Sequence, residues 1–343
     1  MNTRNETNDG TNGMPASNQN SPFVRPIPAS PNTASSDVTA LSQGSSPANT
    51  SPPTGAKAAP GRRVIGRAAG ARLRTELVER DNAILTILGT HRFLSTHQVQ
   101  QFCFPTSNEL RLDSAARVTR RALLRLRLSG VVQPVTPRRV GGIEAGSGVQ
   151  LWQLTSAGHR HAAELQPPGW RYRSGSQPSS RFVAHELAMA DAHLAAMTAA
   201  TAMNAALQVR IEKHATRLYT GLGGTALRLI PDLELRFAGH DTEGSYDDHW
   251  FVEVDMGSES LPTLLRKCEQ YEAYYRSGTE QSTNGVFPLI VWVLHGPRAQ
   301  QRKDELIKRI TTLAARGQLT SQIHRVATTE QQLHQLLVTG GAT

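Results

Sequence analysis

The chain has 343 residues, 38% of them hydrophobic, and 37 Lys and Arg against 28 Asp and Glu give it a formal charge of +9. That length allows about two domains of roughly 100–200 residues, with enough apolar content for ordinary cores. No apolar run approaches the roughly 18 residues of a membrane span, and the opening MNTRNETNDGTNG lacks the apolar centre of a signal peptide; the expectation is a cytoplasmic protein without a membrane partner. Cys103 and Cys268 lie far apart with no His or Cys at ligand spacing, so neither a disulfide framework nor a zinc site is supported. The basic balance favours a polyanionic partner.

Residues 1–60 are rich in Ser, Thr, Asn, Pro and Gly. With few large apolar side chains they cannot offset the entropy of ordering, and a disordered tail is expected. A basic arm follows at 61–76, with Arg62, Arg63, Arg67, Arg72 and Arg74 and no acidic residue in that stretch until Glu76. It reads either as a phosphate-touching arm or as a solvated linker.

The periodicity predicts helices over 78–93, 94–104 and 113–130, with Ser95 and Asp113 as N-caps and Gly130 as a stop. Residues 131–155 read as two strands joined by a Gly-rich loop carrying Arg138 and Arg139. Helix, helix, basic helix and β-hairpin is the order of a winged helix-turn-helix, placed at 77–165. In the third helix Arg117, Arg121 and Arg125 recur at i+4 spacing beside Arg120 and Arg127, with Leu123/Leu126 and Leu124/Leu128 as apolar pairs. Such a helix can lie in the major groove of double-stranded DNA while the wing arginines hold the backbone. The bland alternative is a solvated arginine face. A short helix at 155–165 places His159 and His161 at the surface, and the Pro- and Gly-rich run 166–180 is the expected linker.

The second domain, 181–343, alternates elements: a helix at 181–201, strands at 206–214, 227–237 and 249–256, a helix at 261–278, a buried strand at 287–296, a helix at 300–317, then a strand and a helix. The GLGG at 221–224 lacks Gly-Lys-Ser/Thr and reads as a hairpin turn, not a phosphate cradle. Asp232, Glu253 and Asp255 stand in apolar strand-like runs, where an ionised carboxylate needs a cation, a metal or good donors. Residues 253 and 255 share a strand face. Their hard oxygens suit Mg²⁺ or Mn²⁺; the alternative is an ion-pair network with Lys213, Arg210, Arg228 or Lys267. Tyr271, Tyr274 and Tyr275 fit core packing better than a nucleophile's role.

An αβββαβ core with Pro-Asp at 231–232, Glu-x-Asp at 253–255 and Glu186 on the first helix resembles the PD-(D/E)xK nuclease fold of restriction enzymes. The resemblance implies Asp232 and Glu253 as metal-binding carboxylates and Glu186 as the helix-one glutamate. Asp255 stands where most of that family has lysine, and Lys267 on the next helix could project back to restore it. The whole layout, through 80-RDNAILTIL-88, 151-LWQLTSAG-158, 231-PD-232, 252-VEVDMGSES-260 and 267-KCEQYEAY-274, resembles the replication-relaxation family of plasmid and mobile-element proteins. That family is similar to restriction-like relaxases that nick one strand at a plasmid transfer origin. The resemblance implies a metal-dependent nicking endonuclease acting in mobilisation or replication, with an origin region as partner and other mobilisation or replication proteins beside it. The other class is a non-catalytic DNA-binding regulator whose nuclease-like domain survives as a scaffold.

Overall fold

The computed structural model describes residues 77–105, 112–135, 149–165, 179–241 and 244–342. The expected tail, basic arm and wing loop with Arg138 and Arg139, and the linker residues 166–178, lie outside the described residues.

The N-terminal half begins with α1 (Glu79–His91), two-residue β1 (Leu94–Ser95) and α2 (Thr96–Cys103). Ser95 caps α2 as expected: its hydroxyl accepts the Gln98 N–H at 3.1 Å, and the Gln98 side chain accepts the Ser95 N–H at 3.0 Å. Then come α3 (Leu112–Leu128), β2 (Val132–Val135), β3 (Leu151–Leu154) and α4 (Ser156–Glu164). The three strands form an antiparallel sheet in the order β1-β3-β2. β1 is too short to leave a periodicity, and its pairing of Leu94 with Trp152 and of Ser95 with Leu151 defines it. Asp113 lies in the first turn of α3 and not at its cap, because the helix starts one residue earlier. There its charge still meets the positive end of the helix. Leu123 and Leu126 are buried, whereas Leu124 and Leu128, expected to pack, are 53% and 78% exposed. They sit on the opposite face of the helix, about 160° round from the buried stripe. His159, expected at the surface, is buried, and burial lowers its pKa to about 4.

The C-terminal half contains α5 (Ser180–Ala202), β4 (Ala206–Ile211), β5 (Arg217–Thr220), β6 (Ala226–Leu229), β7 (Leu233–Asp241) and β8 (Gly244–Asp255). It continues with α6 (Leu261–Ser277), α7 (Thr279–Asn284), β9 (Leu289–Leu294), α8 (Ala299–Ala315), β10 (His324–Ala327) and α9 (Glu330–Val338). A five-stranded sheet runs β10-β9-β8-β7-β4, antiparallel from β4 through β8 and parallel from β8 to β10. The class is mixed α+β. β5 and β6 form a separate hairpin whose turn holds the GLGG run, with Gly223 and Gly224 at φ 76° and 79°, as a hairpin turn requires. The expected single strand over 227–237 breaks at residues 230–232, between β6 and β7. Pro231 has no N–H to give a ladder, which is why the break falls there.

One face of the sheet carries Leu233, Leu235, Val252 and Val254 against the alanines of α5 and the leucines of α9. The opposite face carries Phe251 and Trp292 against α6 and α8. α5 serves both halves, since its Ala190 joins the N-terminal core. The Gln98 amide of α2 donates to Leu187 O at 2.9 Å and to Asp191 Oδ1 at 2.7 Å. His91 Nε2 and His193 Nδ1 share a hydrogen bond of 2.8 Å in the same seam. Among the described residues no helix is long and apolar enough to cross a membrane.

That histidine pair predicts acid sensitivity. Burial holds both imidazoles below their ordinary pKa, His193 at about 4. The unfolded chain therefore binds more protons between about pH 6.5 and 4, and the stabilisation present above pH 6.5 is lost as pH falls through that window, about 3 kcal/mol for His193. Urea unfolding of wild type and His193→Asn should show a stability gap that narrows from pH 7 to pH 4.5. A gap independent of pH would contradict this account.

Candidate functional site

The break at Pro231 builds the site. β7 and β8 pair with Leu233 opposite Val252, so the register carried on sets Pro231 opposite Val254. Proline offers Val254 no N–H, and side chains complete the end of the ladder. Asp232 Oδ2 accepts the Val254 N–H at 2.8 Å. His185 Nε2, from the second turn of α5, lies 3.1 Å from Val254 O and 3.4 Å from Asp232 Oδ2.

Glu253 and Asp255 leave β8 on the face covered by α6 and α8. Glu253 is 2% exposed and meets two residues one helical turn apart on α6: Lys267 Nζ bonds its Oε2, and the Tyr271 hydroxyl donates to its Oε1. Tyr271 and Tyr274 are core residues, as their spacing implied. Asp255 is turned elsewhere. Arg302 of α8 pairs with its Oδ2, and the Gly257 and Glu259 N–H groups reach its Oδ1 at 3.1 and 3.4 Å. Gly257 takes φ 75°, and a Cβ there would fall 2.8 Å from His295 O, so this loop requires glycine.

Glu186 is one residue from His185 on α5 and points about 100° away. It pairs with Arg92 at 3.1 Å. Burial raises its carboxyl to about 7, against the pull of the Arg92 charge. Burial also acts to raise Asp232, but the His185 hydrogen bond and the Lys267 and His185 charges outweigh it and hold Asp232 below the ordinary range. For Lys267 the charges of Glu253 and Asp232 outweigh burial, so its pKa goes up and it keeps its proton. Burial would lower His185, but its hydrogen bond and charge contact with Asp232 raise it.

These groups line a cleft of about 330 Å³ that includes Arg181, His185, Asp232, Glu253, Lys267 and Trp292. The structure thus brings Asp232, Glu253 and Lys267 together, with Asp255 at the margin and Glu186 on a separate ion pair. His185, Arg92 and Arg302 carried no signal in their spacing that would have selected them, although His185 adjoins Glu186 in 185-HEL-187. Of the basic residues proposed as alternative partners, Lys267 takes Glu253, while Arg210 pairs with Glu234 at 3.3 Å.

The donor set bears on metal binding. Among the described residues no three His, Cys, Asp or Glu side chains form a metal-holding cluster. The cleft's lining includes Asp232, Glu253, Asp255 and Glu259; of these Asp232 and Glu253 weigh most on the Lys267 charge, and the Val254 carbonyl lies 3.1 Å from the His185 ring that also faces Asp232. Asp232 Oδ1 has no hydrogen-bond partner among the described residues. Two carboxylates and a carbonyl fit a hard cation that keeps several waters, as Mg²⁺ does.

On α3, Arg117, Arg120, Arg121 and Arg127 are exposed, and among the described residues no carboxylate pairs with them. Arg125 differs. It pairs with the buried Asp81 of α1, a compensating acid that α3 lacks anywhere after Asp113.

Fold and cleft together define a mixed α+β protein with a carboxylate and lysine site at the broken end of a strand pair. The chain belongs to the replication-relaxation family, whose model matches residues 85–290. Comparisons with curated proteins and with solved structures return no match.

Proposed function

We propose that this protein is a DNA-binding, metal-dependent nicking endonuclease of a plasmid or mobile element. In this reading the N-terminal half is a winged helix that places α3 on duplex DNA, and the C-terminal half is a PD-(D/E)xK-like domain that cuts. The observation that supports it is the entry of Lys267 from α6 into the cleft beside Asp232 and Glu253. A lysine supplied by the next helix stands in for the one that Asp255 displaces from the strand. Family membership supports a role in replication or mobilisation.

Asp232, Glu253 and the Val254 carbonyl would hold Mg²⁺ or Mn²⁺, which when bound supplies Lewis-acid stabilisation of phosphodiester charge and acidifies water. Lys267, kept protonated, holds a phosphate oxygen or the attacking water. Tyr271 fixes Glu253, and His185 fixes Asp232. Phe182, Met256, Leu264 and Trp292 contribute apolar lining. The test is nicking of supercoiled DNA bearing the element's own origin, with Mg²⁺ or Mn²⁺ against EDTA. Open circles formed only with metal support the enzyme.

One observation favours a second reading. Each carboxylate has a basic protein partner of its own: Asp232 has His185, Glu253 has Lys267, Asp255 has Arg302 and Glu186 has Arg92. A scaffold stabilised by ion pairs would look the same, and binding without nicking under any metal would select it.

The DNA-binding assignment has its own check. Replacing Arg120 and Arg121 together by Ala should reduce the slope of log K against log salt by about 2, since each lost phosphate contact removes about 0.9 of counterion release. An unchanged slope in a salt titration of origin DNA would move the interface off α3.

A further inference from the structure

Arg92 follows the last turn of α1, yet its guanidinium reaches two elements of the other half of the molecule. Nη1 donates to Glu186 Oε1 at 3.1 Å, Nη2 bonds Glu212 Oε2, and the group lies over the Phe182 ring at 5.3 Å. Both ends of the Arg92–Glu212 pair have a positive φ, 57° at Arg92 and 47° at Glu212. Among the described residues the remaining non-glycine position with positive φ is Asn204. A residue with a Cβ holds such a conformation only where surrounding contacts over-determine it, and such positions collect at functional sites. Here two of them meet in one ion pair.

From that pair two routes lead to Asp232. Glu212 donates its N–H to the Asp232 carbonyl at 2.9 Å, beside the break in the strand. Glu186 directly follows His185, whose Nε2 faces the Asp232 carboxylate at 3.4 Å. α1 adds a third connection, because Asp81 near its start holds Arg125 of the basic helix. We infer that Arg92 is a positioning residue that sets Asp232 from its backbone side and its carboxylate side, tying the cleft to the N-terminal half. Its consequence for cation binding rests on the function proposed above; the geometry does not.

The experiment is amide hydrogen exchange by NMR on the full chain, comparing wild type with Arg92→Gln, Arg92→Lys and, as a control, Arg210→Gln. Arg210 also carries an ion pair on this sheet, to Glu234, and makes no side-chain hydrogen bond or ion pair to Asp232, Glu212 or Val254 among the described residues. In Arg92→Gln the amides of Glu212 and Val254, both bonded to Asp232, should exchange at least about tenfold faster relative to Leu235 inside the sheet. Arg92→Lys, which keeps the charge but not the two-pronged geometry, should fall between, and Arg210→Gln should match wild type. Mn²⁺ titration of the same samples should show affinity about 10–100-fold weaker in Arg92→Gln, as for other residues that orient a metal ligand. Unchanged exchange at Glu212 and Val254, or acceleration equal to that at Leu235, overturns the inference whatever the metal does. Selective acceleration in a protein whose wild type binds no Mn²⁺ leaves Arg92 in place and removes the metal reading instead.

Discussion

Replacing Asp232 by Asn is expected to cut metal-dependent nicking of supercoiled DNA by at least about 100-fold and to leave duplex binding unchanged. Asparagine keeps an oxygen to accept the Val254 N–H, so the end of the β7–β8 ladder is retained. It removes the charge that faces both His185 and Lys267. Lys267→Met should have a similar effect by another route. Glu253 would keep only the Tyr271 hydroxyl, and burial, which already pushes its carboxyl up to about 8 against the pull of the Lys267 charge, would raise it further. Because α3 is untouched in both variants, filter binding with origin DNA serves as the control. Nicking by Asp232→Asn at the wild-type rate would place the chemistry outside this cleft.

The largest stability effect is expected at Arg217. This guanidinium lies over the Phe251 ring, donates to Glu234 at 2.6 Å and to Glu280 at 2.8 Å, and so fastens the β5–β6 hairpin to the sheet and to α7. Glu280 is 1% exposed and also holds Tyr274 and Asn284. Arg217→Ala leaves two carboxylates in the protein without their main cation, a change that costs about 3–5 kcal/mol. For a domain of this size that corresponds to a fall in Tm on the order of 10 °C. Adding Glu280→Gln should recover part of the loss, since it removes one of the stranded charges. Thermal and urea unfolding of the three proteins read this directly, and a loss below about 1 kcal/mol for Arg217→Ala would show that the network contributes little.

Much of the fold was legible because local rules decide it. The apolar spacing of Ile84, Leu85 and Leu88, the capping pair Ser95 and Gln98, and the continuous apolar run of β9 each announce an element within a few residues of its observed bounds. β1 and α7 were not legible, being held by pairing and packing and carrying too few residues for a period. The strand expected over 227–237 was misread across its break because Ile230 and Leu233 continue the apolar pattern, while the single residue that ends pairing, Pro231, interrupts hydrogen bonding and not hydrophobicity.

At the site, the residue types already singled out Asp232, Glu253 and Asp255 as carboxylates in apolar strands that demand cationic company, and the resemblance to the PD-(D/E)xK fold suggested the returning Lys267. The partners of the other charges were out of reach of any such rule. Glu186 and Arg92 are 94 positions apart, Glu212 and Arg92 are 120 apart, Asp255 and Arg302 are 47 apart, and Asp81 and Arg125 are 44 apart. Periodicity says which residues share a face of one helix or strand. Which face meets which depends on strand order and on α5 serving two cores, and those follow only when the whole chain packs. By itself, then, the sequence determined most of the longer elements, the acidic runs and the basic helix. The tertiary structure decided that His185 and not Glu186 stands beside Asp232, that Arg302 takes Asp255, and that Arg92 joins the two halves, because a buried charge is satisfied by what lies next to it in space.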